Sequence, residues 1–90
     1  SYYMENAKII KDGLEGLGIK TFGGINSPYI WAVFPGKKSW DVFEDILTKA
    51  HVVTTPGAGF GKAGEGFIRF SAFGKTSEIK EAVKRLQENL

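Results

Sequence analysis

Apolar residues recur three and four apart at Met4, Ala7, Ile10, Leu14 and Leu17, the spacing of one helix face, with Gly18 as a stop. The spacing predicts a helix over about residues 3–17. Gly13 and Gly16 weaken it by roughly 1 kcal/mol each relative to alanine, so packing against a neighbouring surface has to hold its last turns. A short strand is predicted near Ile19 to Phe22 and a turn at Gly23-Gly24. Tyr29 to Phe34 follows, bracketed by Pro28 and Pro35, an unbroken apolar and aromatic run that suits a strand covered on both faces. Ser39 is placed to cap a second helix with Asp41 in its first turn, and Phe43, Ile46, Leu47 and Ala50 form its inward stripe. Val52-Val53-Thr54 reads as a third strand and Phe67 to Ala72 as a fourth. Thr76 or Ser77 is the expected cap of a last helix, with Ile79, Ala82, Val83, Leu86 and Leu90 inward. The order is helix, two strands, helix, two strands, helix, an α+β arrangement.

The fourth strand carries the most informative residue. Side chains alternate along a strand, so Ile68, Phe70 and Ala72 share one face while Phe67, Arg69 and Ser71 share the other. The first face reads as core. The second sets a planar, permanently charged guanidinium beside a ring and a hydroxyl, a grouping suited to gripping a carboxylate or phosphate at two points. An edge-exposed, solvated arginine or a structural ion pair would show the same local pattern.

Composition narrows the setting. Ninety residues, 42% hydrophobic and 13% aromatic, suffice for one domain with one core, expected to span residues 1–90. The chain has no cysteine, so disulfides and thiolate metal sites are excluded, and a reducing compartment is compatible. His51 is the only histidine and suits a helix C-terminus, where a cation meets the dipole; no metal site is predicted. A formal charge of +2 is too small to imply nucleic acid or an anionic membrane as partner, and no apolar run approaches the roughly 20 residues that cross a bilayer. A soluble chain is expected. The N-terminus opens directly into a helical pattern with no visible secretory signal, as if cut from something longer.

Three motif matches compete with the arginine. Gly59-Phe60-Gly61-Lys62-Ala63-Gly64 has the spacing of a dinucleotide fingerprint, but a strand follows where a helix must open. Gly36-Lys37-Lys38-Ser39 lacks the glycine and hydroxyl positions of a phosphate loop, which would fall at Trp31 and Lys38. Gly64 to Phe70 resembles the aromatic strand motif of RNA-recognition domains. However, Ala63 replaces its leading basic residue and Glu65 a stacking ring, and that fold begins and ends with strands. What is left is a sheet with helices on one side and Arg69, Phe67, Trp31, Tyr29 and a glycine loop on the other. A face so aromatic implies something to cover it. No nucleophile is paired with a base and no carboxylate dyad is recognisable, so the chain has a binding group without the chemistry and reads as a portion of an enzyme.

Longer stretches carry a resemblance. They are Tyr2 to Ile10, Gly23 to Trp31, Phe34-Pro35-Gly36, Ser39 to Phe43, His51 to Gly61 and Gly64 to Gly74. On these the chain resembles the C-terminal small domain of class I, fold-type I, pyridoxal-phosphate-dependent aminotransferases. Thr54-Thr55, Gly64-Glu65-Gly66-Phe67 and Ser71-Ala72-Phe73-Gly74 bring it nearest to the LL-diaminopimelate aminotransferases. The resemblance implies a two-layer α-β-β-α-β-β-α sandwich with a small, mostly antiparallel sheet and helices packed on one face. It implies that Arg69 grips the α-carboxylate of an amino-acid or 2-oxo-acid substrate. The implied reaction moves an amino group between LL-2,6-diaminopimelate and 2-oxoglutarate, in lysine biosynthesis. Pyridoxal 5'-phosphate, its Schiff-base lysine and the other catalytic groups belong to a large domain absent from this chain, so no catalytic or cofactor-binding residue is carried over. The fragment alone is expected to be inactive, and its parent to be a cytoplasmic homodimer. Glycines 57, 59 and 61 shape a tight loop, Phe60 is expected to pack, and Asn26 and Tyr29 stand near the cleft. The alternative is a free-standing, non-catalytic binding module of the same fold.

Overall fold

A computed structural model describes residues 2–25, 27–50 and 54–90. The elements are α1 (Tyr2–Gly16), β1 (Lys20–Gly23), β2 (Tyr29–Val33), α2 (Ser39–Ala50), β3 (Thr55–Pro56), β4 (Phe67–Ser71) and α3 (Thr76–Asn89). Two short 3-10 turns, Gly57–Phe60 and Lys62–Gly64, fill the loop between β3 and β4. The sheet order is β1-β2-β4-β3 and every pairing is antiparallel. This is the α+β arrangement that the order of apolar periods implied and the two-layer sandwich that the resemblance implied, with the three helices packed against one side of the sheet.

The alternation along β2 and β4 builds the core. Ile30 and Ala32 of β2 meet Ile68 and Phe70 of β4, in the register Ile30↔Phe70 and Ala32↔Ile68. All four are buried, beneath Ala7, Ile10 and Leu14 of α1, Val42 and Ile46 of α2, and Ile79, Val83 and Leu86 of α3. β2 is therefore not sealed on both faces, as its unbroken apolar run predicts. Tyr29, Trp31 and Val33 are only half-buried, because helices cover one side alone.

Gly13 explains how α1 survives its glycines. A Cβ there would run into Cγ1 of Val83, so the bare backbone lets α1 and α3 lie close, and the packing offsets the propensity cost. The chain then leaves the helix through Gly18, at φ +81, where a side chain would be strained. Asn6, fully buried, donates from Nδ2 to the carbonyls of Ala72 at 2.9 Å and Gly74 at 3.0 Å, tying the end of β4 to α1.

Several expectations shift. Ser39 opens α2 without capping it. Its hydroxyl donates to the Gly64 carbonyl at 3.0 Å and accepts from the Gly66 amide at 2.9 Å. The distant Glu65 carboxylate accepts from the Ser39 amide at 2.5 Å, which places an anion at the positive end of the helix. The buried stripe of α2 is Ser39, Val42, Ile46 and Ala50, with Phe43 half-buried against the core as expected; Leu47 is exposed. Lys75, not Thr76 or Ser77, precedes α3 and no side chain caps it, since the Lys75 carbonyl takes the amides of Glu78 and Ile79. Leu90 is exposed, lying one residue beyond the end of α3. The third strand falls at Thr55–Pro56 instead of ending at Thr54, while Val52, Val53 and His51 lie outside the described residues. Pro56 lacks an amide hydrogen and sits where that costs least, on an edge strand.

Candidate functional site

The uncovered side of the sheet is aromatic with one cation at its centre. Arg69 lies in the middle of β4, directly opposite Trp31 on β2 and opposite Thr55 on β3. Both neighbouring strands thus fix its backbone. Its guanidinium carbon sits over two rings, 4.4 Å from the centroid of Tyr29 and 5.2 Å from that of Phe60. Tyr29 arrives by register: it pairs with Ser71, which makes it the diagonal neighbour of Arg69 on the same face. Phe60 arrives from the glycine loop.

Around this pair the rings form a connected layer. Phe22 stacks on Trp31 at 6.4 Å and meets Phe67 edge to face at 5.8 Å. Phe60 meets Trp31 edge to face at 5.8 Å, and Tyr29 meets Phe73 in the same way at 6.1 Å. Phe22, Trp31, Phe60 and Phe67, with Ala63 and Gly64, line a shallow groove of about 330 Å³ beside the arginine. Phe22, Phe60 and Phe73 remain 47%, 61% and 57% exposed, and it is their gathering on one face, not the exposure of any one of them, that marks a surface meant to be covered.

Among the described residues the Arg69 guanidinium has no hydrogen-bonding or ion-pair partner, whereas Arg85 is bonded to the Ala50 carbonyl and to Glu81. The structural ion pair that the local sequence left open is therefore not seen there. The cation is held by ring faces, and its N–H groups remain available for an incoming anion.

The glycine loop does not act as an anion cradle leading into a helix. Gly57 and Gly64 press backbone on backbone, so a Cβ on either would overlap the other residue's carbonyl, and Gly61 takes φ +118. These glycines let two 3-10 turns double back beside β4 with Phe60 at their junction. The sequence pattern picks out Arg69 but underrates Tyr29 and Phe60, which look like packing residues. The signal that finds Tyr29 is its two-residue offset from the partner of Arg69 in the paired strand. Asn26 lies outside the described residues. Among the described residues no three His, Cys, Asp or Glu side chains gather, and no helix is long and apolar enough to cross a membrane.

Comparison with known proteins gives a consistent result. Residues 1–86 match the family model described as aminotransferase class I and II. A rice (Oryza sativa subsp. japonica) protein named probable LL-diaminopimelate aminotransferase, chloroplastic, is 58% identical over 87 residues, which is 97% of this chain and 19% of that protein. The structure of L,L-diaminopimelate aminotransferase from Chlamydomonas reinhardtii superimposes with a TM-score of 0.94 at 54% identity, covering 97% of this chain and 21% of the other. An aromatic aminotransferase from Pyrococcus horikoshii OT3 gives a TM-score of 0.89 at 30% identity, over 97% of this chain and 24% of the other. The chain thus spans about a fifth of the length of these relatives.

Proposed function

Because the chain belongs to the aminotransferase class I and II family, we propose that it is the C-terminal small domain, residues 1–90, of a pyridoxal-phosphate-dependent aminotransferase, and that Arg69 clamps the substrate carboxylate. The observation that carries this reading is the placement of Arg69: a central strand fixes its backbone, rings hold its cation, and its N–H groups have no partner among the described residues. A planar fork that binds both carboxylate oxygens fixes the direction in which the rest of an amino acid points, which a lysine ammonium cannot do. Once the face is covered, the surrounding rings place that charge pair in a less polar setting and so strengthen it.

This chain has, among the described residues, no lysine lining the aromatic groove beside Arg69. Its lysines are exposed except Lys11, which is half-buried and donates to the Thr21 hydroxyl at 2.9 Å. The cofactor's covalent anchor and the catalytic base are therefore proposed to lie in a large domain elsewhere in the parent, with this domain contributing binding and orientation. The large domain is also the proposed partner of the aromatic face, within a homodimeric parent. The names of the rice and algal relatives favour LL-2,6-diaminopimelate as the amino donor, and 2-oxoglutarate is the amino acceptor that the resemblance implies. For location the proposal is the cytoplasm or, as the rice relative's name has it for that protein, the chloroplast.

The test is a transamination assay of the full-length protein with that pair, with and without Arg69→Lys. Replacing the fork by a point charge should cut kcat/KM roughly thirty- to several-thousand-fold, the equivalent of about 2–5 kcal/mol. Unchanged kinetics would remove Arg69 from the site. Turnover by residues 1–90 alone would contradict the division of labour.

A further inference from the structure

The loop between β3 and β4 goes to some length to place one phenylalanine. Gly57 and Gly64 touch through their backbones, Gly61 adopts a conformation that L side chains rarely take, and between them stands Phe60. Burial within this chain does not explain this position, since Phe60 is 61% exposed. Its neighbours do. The ring lies against the Arg69 guanidinium carbon and is braced edge-on by Trp31. Tyr29, the second ring at the guanidinium, is braced in turn by Phe73, which also contacts Tyr3 at 5.9 Å.

An aromatic face attracts a guanidinium through its quadrupole and leaves the N–H donors uncommitted. A hydrogen-bonded partner would also fix the arginine but would occupy some of its five N–H donors. Rings that hold the cation therefore remove rotamer freedom before the substrate arrives, and the ordering cost of binding falls. We propose that Phe60 and Tyr29 are positioning residues, which set the plane of the Arg69 guanidinium in advance, and that the glycine loop is shaped to aim Phe60 at it. The proposal rests on the reading of Arg69 as the carboxylate clamp.

A double-mutant cycle in the full-length protein tests it, with kcat and KM measured for the amino donor and the 2-oxo acid. Phe60→Leu keeps an apolar side chain but loses the ring, and should raise KM about fivefold with kcat little changed. Phe60→Tyr should restore the original KM. Combined with Arg69→Gln, Phe60→Leu should produce no further loss in kcat/KM, because the ring then has no cation to hold. The same loss in both backgrounds, or no effect of Phe60→Leu beside a large effect of Arg69→Gln, overturns the positioning role and leaves the clamp intact. If Arg69→Gln itself leaves kcat/KM unchanged, the clamp and the positioning role fall together.

Discussion

The two faces of this sheet are built from alternate residues of the same strands, yet they work on different principles. Toward the helices, Ile30, Ala32, Ile68 and Phe70 are buried by close packing and carry no polar atom in their side chains. On the other side Tyr29, Trp31, Phe67 and Arg69 are half-buried and are linked, by way of Phe22 and Phe60, through ring edges, ring faces and one cation. The first face has satisfied its surface within the chain; the second has not. Stability and recognition are thus separated by a single step along the backbone, so they can be perturbed independently.

The sharpest test of that separation uses neighbours. Arg69→Lys should lower kcat/KM of the full-length enzyme by roughly thirty- to several-thousand-fold while leaving its melting temperature within a degree or two, since the side chain carries no structural ion pair among the described residues. Ile68→Ala, one residue earlier and fully buried, should do the reverse at the level of the fold, costing about 2–5 kcal/mol in urea unfolding of the chain. If both variants lose stability alike, the faces are not independent.

Smaller effects sharpen the comparison within the helix layer. Gly13→Ala improves helix propensity but drives a methyl into Val83, and should cost about 1–3 kcal/mol because the α1–α3 contact has to open. A gain in stability would mean that the helices can separate freely. Ser39→Ala removes the hydroxyl shared by Gly64 and Gly66 and should cost about 1–2 kcal/mol, read by the same unfolding titration. Because those bonds lie at the entry to β4, hydrogen exchange in that variant should quicken first at Gly66 and Phe67.

How far the sequence goes toward this molecule depends on how local the information is. Period-2 alternation in β4 and period-3.6 spacing in α1 and α3 are local, and both identify the buried residues with few errors. Arg69 is legible for the same reason, as a charge out of place in an apolar run. Contacts set by register or by loop closure are not local. Tyr29 reaches Arg69 only once β2 and β4 are paired, and Phe60 only once Gly57 meets Gly64. Ser39 looks like a cap from its neighbours, but its hydroxyl serves residues 25 and 27 positions away. Glu65, which in the sequence looks only like an obstacle to stacking, does the capping from across the chain.

The strand order has a consequence in time. β4 is paired on both sides at Arg69 and Ile68, so exposing those amides means separating two ladders at once, a rare and extensive opening. The turns that carry Phe60 are closed by short-range bonds, Gly61 to Ala58, Gly64 to Gly61 and Glu65 to Lys62, and each can open singly. A ligand approaching this face therefore meets an arginine whose backbone stays anchored on the timescale of encounter, beside turns that can open and close many times before that strand does.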